Sequence, residues 1–256
     1  MQLKYILRGR PGNETVVLLN GMGLAASDWS EQIDVLAEDF QVLAVDRRAH
    51  GGTPYEIPDS LENLTDDVIE TLDALGIDSA HVVGLSMGGC EALNLTLRHP
   101  KRVSSLVLVN TFSDVTPADR KARMESVSTT LGEKGMGAFA RDTVTQMIHA
   151  DLPQQRLEEL VTSLGSLGGQ VFLDLISVLY RIGMGSSLAK IQCPVLVLGA
   201  EFDQRTPVAA VRSLAVSIPK AEFVVIPDAG HFPHIEQPTL FNTKLMNFLH
   251  AKKVTQ

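Results

Sequence analysis

The sequence predicts an α/β fold in which a mostly parallel sheet is flanked by helices and interrupted by a helical insertion. Three observations predict it. Short, nearly all-apolar runs rich in β-branched residues recur in the first part of the chain and end in Gly, Asp or Asn. Longer stretches with apolar residues at helical intervals lie between them. The rhythm stops after Thr111 and resumes at Pro194. Strands that are apolar throughout are buried on both faces, as in a parallel sheet covered by helices.

Residues 3–7, followed by a turn at 9–13, are expected to add an antiparallel edge. Residues 16–19 form a strand that ends at Asn20-Gly21, and 30–38 have helical spacing. A second buried strand, 41–45, ends at Asp46. The helix predicted over 61–75 stops at Gly76, where a left-handed residue closes a helix without steric cost. Residues 81–83 lead to Gly84, and Ala92, Leu93, Leu95 and Leu97 continue a helix closed by His99-Pro100. Residues 103–109 end at Asn110. From 114 to 187 only helical periodicity with scattered glycines is found. The strand pattern then returns at 194–199 and 222–226, and a helix over 237–249 packs back on the sheet. Crossovers between parallel strands are right-handed and place helices on both faces. The expected division is a core of 1–113 and 188–256 around a helical cap of 114–187.

Composition narrows the function classes. The chain has 256 residues, with 22 Lys+Arg against 30 Asp+Glu and a formal net charge of −8, which opposes binding to nucleic acid. Cys90 and Cys193 lie in apolar stretches without metal-ligand spacing and are expected to be small core residues. The N-terminal apolar run is too short for a secretory signal and no stretch approaches the length of a membrane span, so the cytoplasm is the expected location.

Gly84-Leu85-Ser86-Met87-Gly88 stands where a buried strand meets a helix, the context that gives G-x-S-x-G its mechanical meaning. A glycine-rich turn can also pack closely or hold a phosphate, but no phosphate-loop Lys or ribose-binding acid accompanies this one. Ser86 is therefore the expected nucleophile. A hydroxyl needs a base, and His231 is favoured because its loop, 227–233, opens beyond the C-terminal end of the last strand. His234 is the nearest rival, expected to face solvent or to cap the helix that begins near Gln237. His50, His81, His99, His149 and His250 are expected to be solvated or hydrogen-bonded. Asp203, after the strand at 194–199, best supplies the carboxylate that orients the histidine, with Glu201 and Asp114 as competitors. The order Ser86, Asp203, His231 is that of one fold among those carrying such a triad. Oxyanion donors are expected from the amide of Met87 and from that of Met22 in the loop 20–23, which could otherwise be a simple tight turn.

These motifs, together with Asp46-Arg47-Arg48-Ala49-His50-Gly51-Gly52-Thr53, which resembles the D-x-R-G-x-G-x-S loop, resemble the α/β-hydrolase family over essentially the whole chain. Residues 83–89, 102–111 and 230–238 are similar to 3-oxoadipate enol-lactonases and to cofactor-free haloperoxidase and esterase relatives. Asn20 stands in place of the histidine of the common H-G-x-G loop, and Ala49 in place of the usual glycine of the D-x-R-G loop. The resemblance implies an eight-stranded, mostly parallel sheet with a helical cap. It implies hydrolysis of a small carboxylic ester or lactone through an acyl-enzyme, with a small-molecule substrate, no nucleic-acid or membrane partner, no metal or cofactor, and an oligomeric state left open. Perhydrolase chemistry or carbon–carbon bond hydrolysis would use the same triad, and a small-ligand receptor could retain the fold without turnover. Met136, Phe139, Met147, Phe172 and Met184 are candidates for an apolar pocket or for the cap's own core. Arg123, Arg141 and Arg181 are candidates for holding a substrate carboxylate.

Overall fold

Strands form where the β-branched runs lie, and the computed structural model describes residues 1–252. In chain order, β1 (Lys4–Arg8), β2 (Thr15–Leu19), α1 (Ser30–Leu36), β3 (Gln41–Asp46), α2 (Leu61–Ala74), β4 (Ala80–Leu85), α3 (Met87–Arg98) and β5 (Val103–Val109) make the first part of the core. The helices α4 (Pro117–Met147), α5 (Gln154–Ser166) and α6 (Gly169–Leu179) follow. The core is completed by β6 (Val195–Ala200), α7 (Val208–Val216), β7 (Glu222–Ile226), α8 (Pro233–Glu236) and α9 (Pro238–Lys252).

The sheet order is β1-β3-β2-β4-β5-β6-β7. Every pairing is parallel except that of β1, which runs antiparallel to β3 with Lys4 opposite Asp46. Among the described residues the sheet has seven strands and not the eight expected. The chain ahead of β2 accommodates one edge strand and a turn, so β1 alone forms the antiparallel edge. β2, β4 and β6 are buried at every position, which explains why they are almost entirely apolar and show no polar alternation. Strand order reverses around β2, between β3 and β4. The crevice at the C-terminal ends of strands at such a switch point is where ligands bind in open α/β sheets. Ser86 and the loop 20–23 emerge there.

Local signals set several boundaries. Ser60 caps α2 by accepting the Asn63 N–H, and Gly76 follows that helix at φ +66°. α4 is broken at Gly135, whose φ of 71° and ψ of 165° are not helical. Cys90 is buried as expected, and burial pushes its thiol up to about 12; Cys193 packs against the core as expected but is only half-buried, at its edge. Among the described residues no single helix is long and apolar enough to cross a membrane.

Ala49 adopts φ +66°, so the turn survives the loss of glycine by forcing alanine into the left-handed region, a placement that costs about 1–2 kcal/mol. Ala49→Gly relieves that strain but loosens the unfolded chain by about 0.4–1 kcal/mol. The expected net effect is a rise in Tm of about 2 °C in a calorimetric scan. An unchanged or lower Tm would show that the strain does not exceed the entropy that glycine returns to the unfolded chain.

Candidate active site

The turn from β4 to α3 puts Ser86 at φ 53° and ψ −114°, a left-handed placement that persists in a non-glycine residue only when the surroundings over-determine it. They do. The Ser86 N–H donates to the Val109 carbonyl at 2.9 Å, and the Ser86 carbonyl accepts the amides of Gly89 (2.9 Å) and Cys90 (3.1 Å) and the Thr111 hydroxyl (2.6 Å). A Cβ at Gly84 would lie 2.3 Å from the Gly88 carbonyl oxygen, and one at Gly88 would lie 2.3 Å from that of Leu19. Glycine is thus required at both positions by close backbone approach. The Met87 N–H, first of α3, has no partner among the described residues, as a helix N-terminus leaves it.

The loop 20–23 is held from outside itself. The buried Arg47 guanidinium donates to the carbonyls of Gly21 (3.1 Å) and Asn20, and stands 2.7 Å from Glu91 of α3. His50 accepts the Gly23 N–H at 2.9 Å through Nε2, which assigns the ring proton to Nδ1, donated to the Arg48 carbonyl at 2.9 Å. Burial, followed by the Arg47 charge, lowers the His50 pKa to about 3, so the ring remains a neutral acceptor. The loop is therefore more than a tight turn, and the Met22 N–H between these anchors has no partner among the described residues.

His231 and Asp203 come together across a separation of 28 residues, with Nδ1 2.8 Å from Asp203 Oδ2. Both side chains are nearly fully buried. Asp203 also accepts the amides of Arg205 (2.8 Å) and Thr206 (3.2 Å) on Oδ1, and the Thr206 hydroxyl on Oδ2. Burial alone would raise this carboxyl. The His231 charge and the hydrogen bonds from His231, Thr206 and Arg205 outweigh it and hold the carboxyl below its usual value. With Nδ1 engaged, Nε2 is the ring nitrogen that has no hydrogen-bond partner among the described residues. Ser86 and His231 line one cavity, and among the described residues no hydrogen bond joins them in this conformation. Such contacts often tighten only when substrate is bound.

The rivals are placed elsewhere. His234, expected to face solvent or cap a helix, is 1% exposed and lies against Trp29 with ring centroids 4.2 Å apart. The chain at Pro233 turns it into the core instead of outward. Burial, then the charges of Arg156 and His231, lower its pKa to about 3. Glu201 is exposed and accepts the Asp228 amide. Asp114 bonds Ser113 and the Gly185 amide, apart from His231. Sequence reasoning missed Arg47, His50, Thr206, Asn110 and Glu236. Asn110, at φ 42° after β5, donates to the carbonyls of Gly230 (3.2 Å) and His231 (3.1 Å) and accepts the Ala200 amide (3.0 Å). The one available signal was a strand ending in Asn, a residue that tolerates the left-handed region.

The cavity holds about 460 Å³. Its wall is mostly apolar, with Phe112, Met147, Leu164, Phe172 and Ile176 among its members, and among the described residues no Asp or Glu lines it. Of the five candidate pocket residues, Met147 and Phe172 line the cavity, whereas Phe139 packs edge-on against Phe172 at 5.1 Å. Of the three candidate arginines only Arg123 reaches it, its guanidinium carbon 5.6 Å from the Tyr180 ring centroid. Arg141 is paired to Glu158 through two hydrogen bonds, and Arg181 bonds Ser177 and lines a separate pocket. Arg205, not foreseen, also lines the cavity.

Comparison with known proteins agrees with this architecture. The family described as "Alpha/beta hydrolase family" matches residues 16–244. The chain is 30% identical to "Putative carbamate hydrolase RutD" of Caulobacter sp. (strain K31), covering 96% of this chain and 95% of that one. It is 28% identical to "3-oxoadipate enol-lactonase 1" of Acinetobacter baylyi, covering 93% and 90% respectively. The crystal structure of the enol-lactonase from Burkholderia xenovorans LB400 superposes with a TM-score of 0.87 at 28% identity, over 97% of this chain and 96% of that one.

Because the folded Asp203 pKa lies below the unfolded value of 3.8, its contribution to stability is complete above that value. It is lost as the pH falls through the folded value. Thr206→Val removes one of the donors that lower it, so the variant should be less stable at neutral pH, by about 1–2 kcal/mol. The difference should shrink below pH 3.8, as read by urea unfolding across pH 2.5–7. A pH-independent difference would mean that the hydroxyl acts through packing and not through the carboxylate.

Proposed function

The chain belongs to the alpha/beta hydrolase family, and from that premise we propose that it is a serine hydrolase of small carboxylic esters or lactones acting through an acyl-enzyme. The observation that carries the proposal is Ser86, strained at the head of α3, sharing one cavity with a His231 ring whose Nδ1 is held by a buried Asp203.

In this reading Ser86 Oγ attacks the substrate carbonyl carbon while His231 Nε2 takes its proton. Asp203 keeps the ring proton on Nδ1 and stabilises the imidazolium as it forms. The carbonyl oxygen gains negative charge and is met by the amides of Met22 and Met87, donors that need no reorganisation because Arg47, His50 and the turn already fix them. Collapse of the intermediate breaks the bond to the alcohol oxygen, which leaves with the proton from His231. Water, deprotonated by the same ring, then attacks the acyl-Ser86 ester and releases the acid. In a lactone the two products are one molecule. The helices between β5 and β6 act as a cap, whose residues Met147, Leu164, Phe172 and Ile176 exclude water from the reacting atoms.

The cavity also suggests which esters are preferred. Arg123 and Arg205 have no carboxylate partner among the described residues, and with no acid in the wall they favour substrates carrying a carboxylate away from the scissile bond.

Three measurements test these statements. A fluorophosphonate probe should label wild type, with the adduct mapped to Ser86, and Ser86→Ala should lose at least about 10⁴-fold in kcat on any ester turned over. Labelling elsewhere, or turnover that survives the substitution, overturns the assignment; ligand binding without turnover in wild type would favour a receptor. Arg123→Gln should lower kcat/KM for the p-nitrophenyl monoester of glutaric acid about tenfold and leave the neutral p-nitrophenyl pentanoate within about twofold. Equal losses on both would remove the anionic preference.

A further inference from the structure

Glu236 stands five residues beyond the candidate base, is 7% exposed, and gathers four backbone amides, two from its own loop and two from a distant segment. Its Oε2 accepts the N–H groups of His149 (2.7 Å), Ala150 (3.0 Å) and Gly230 (2.9 Å), and its Oε1 accepts that of Phe232 (3.1 Å). Two of these donors flank His231 and the other two follow the C-terminal end of α4. The same junction is closed by the His231 N–H, which donates to the Met147 carbonyl at 2.6 Å. The backbones are so close that a Cβ on Gly230 would lie 2.4 Å from that carbonyl oxygen. From the α4 side the His149 ring also stacks on Phe202, the neighbour of Asp203, with centroids 3.7 Å apart and planes inclined by 12°.

We infer that Glu236 is a positioning residue that fastens the His231 loop to the end of α4, so that base and cap hold one registration and move as one body. The inference takes from the proposed function only that His231 is the base. A carboxylate suits the task because both oxygens only accept, and four N–H groups can converge on it without a competing donor. A glutamine would turn its amide donors toward N–H groups that also donate.

The test compares wild type, Glu236→Gln and Glu236→Asp on an ester substrate, with kcat expressed per active site titrated by fluorophosphonate so that unfolded protein does not count. The expected result is a fall in kcat of about tenfold for Glu236→Gln, with KM within about twofold, and an intermediate fall for Glu236→Asp, which keeps the charge but shortens the reach. A merely structural role would lower Tm and leave kcat per titrated site unchanged, and that outcome overturns the inference. Native-state hydrogen exchange on wild type tests the linkage without turnover: the amides of His149, Ala150, Gly230 and Phe232 should open as one unit. Independent opening of the two pairs also overturns it. Absence of turnover and labelling in wild type would count against the hydrolase reading alone, leaving the exchange result to judge Glu236.

Discussion

The backbone strain at Ser86 is the constraint on which the remainder of the site depends. A left-handed serine between a strand and a helix is unfavourable in isolation, and it persists because β5 holds it on one side through Val109 and Thr111. On the other side, α3 approaches β2 so closely that only glycine fits at residue 88. One distortion thereby aims the hydroxyl into the cavity, leaves the Met87 amide unpaired at a helix N-terminus, and brings that amide beside the loop that follows β2. Relaxing the turn would undo all three at once, so the sheet's buried central strands serve the site as directly as the side chains do.

Around that turn the buried polar groups are arranged so that the charge is specific. His50 and His234 are driven to the neutral form by burial, which makes one an acceptor for the Gly23 amide of the loop 20–23 and the other a flat packing element beside Trp29. His231 differs in having a carboxylate on one ring nitrogen. Arg47 is spent on two loop carbonyls and on Glu91. A buried guanidinium without such partners would be strongly destabilising, so the ion pair fixes the loop to the helix that carries the serine's neighbour. Arg123 and Arg205, by contrast, lie at the cavity without a carboxylate partner among the described residues, which gives a chain of net charge −8 a locally cationic pocket.

Two departures from the family pattern are absorbed differently. Asn20, in place of histidine, is buried and reaches toward the Val45 carbonyl, while the loop's geometry is maintained by Arg47 and His50. Ala49, in place of glycine, keeps the turn's shape and bears the strain itself.

What the sequence by itself determined was whatever is written in neighbouring residues. The parallel sheet follows from nearly all-apolar runs at 16–19, 81–83 and 194–199, and the serine turn follows from glycines two positions either side of Ser86. The positions of His231 and Asp203 follow from loops that must leave the same end of the sheet. What only the tertiary structure decided were contacts between segments far apart in the chain. Burial of His234 against Trp29, the Glu236 junction with residues 149 and 150, the Asn110 bridge to the His231 loop and the choice of Arg123 over Arg141 and Arg181 all depend on how helices and loops pack. Local periodicity reports which face of an element is buried, but a hydrogen bond or an ion pair is set by the distance and direction between two side chains, and those exist only after the chain has folded.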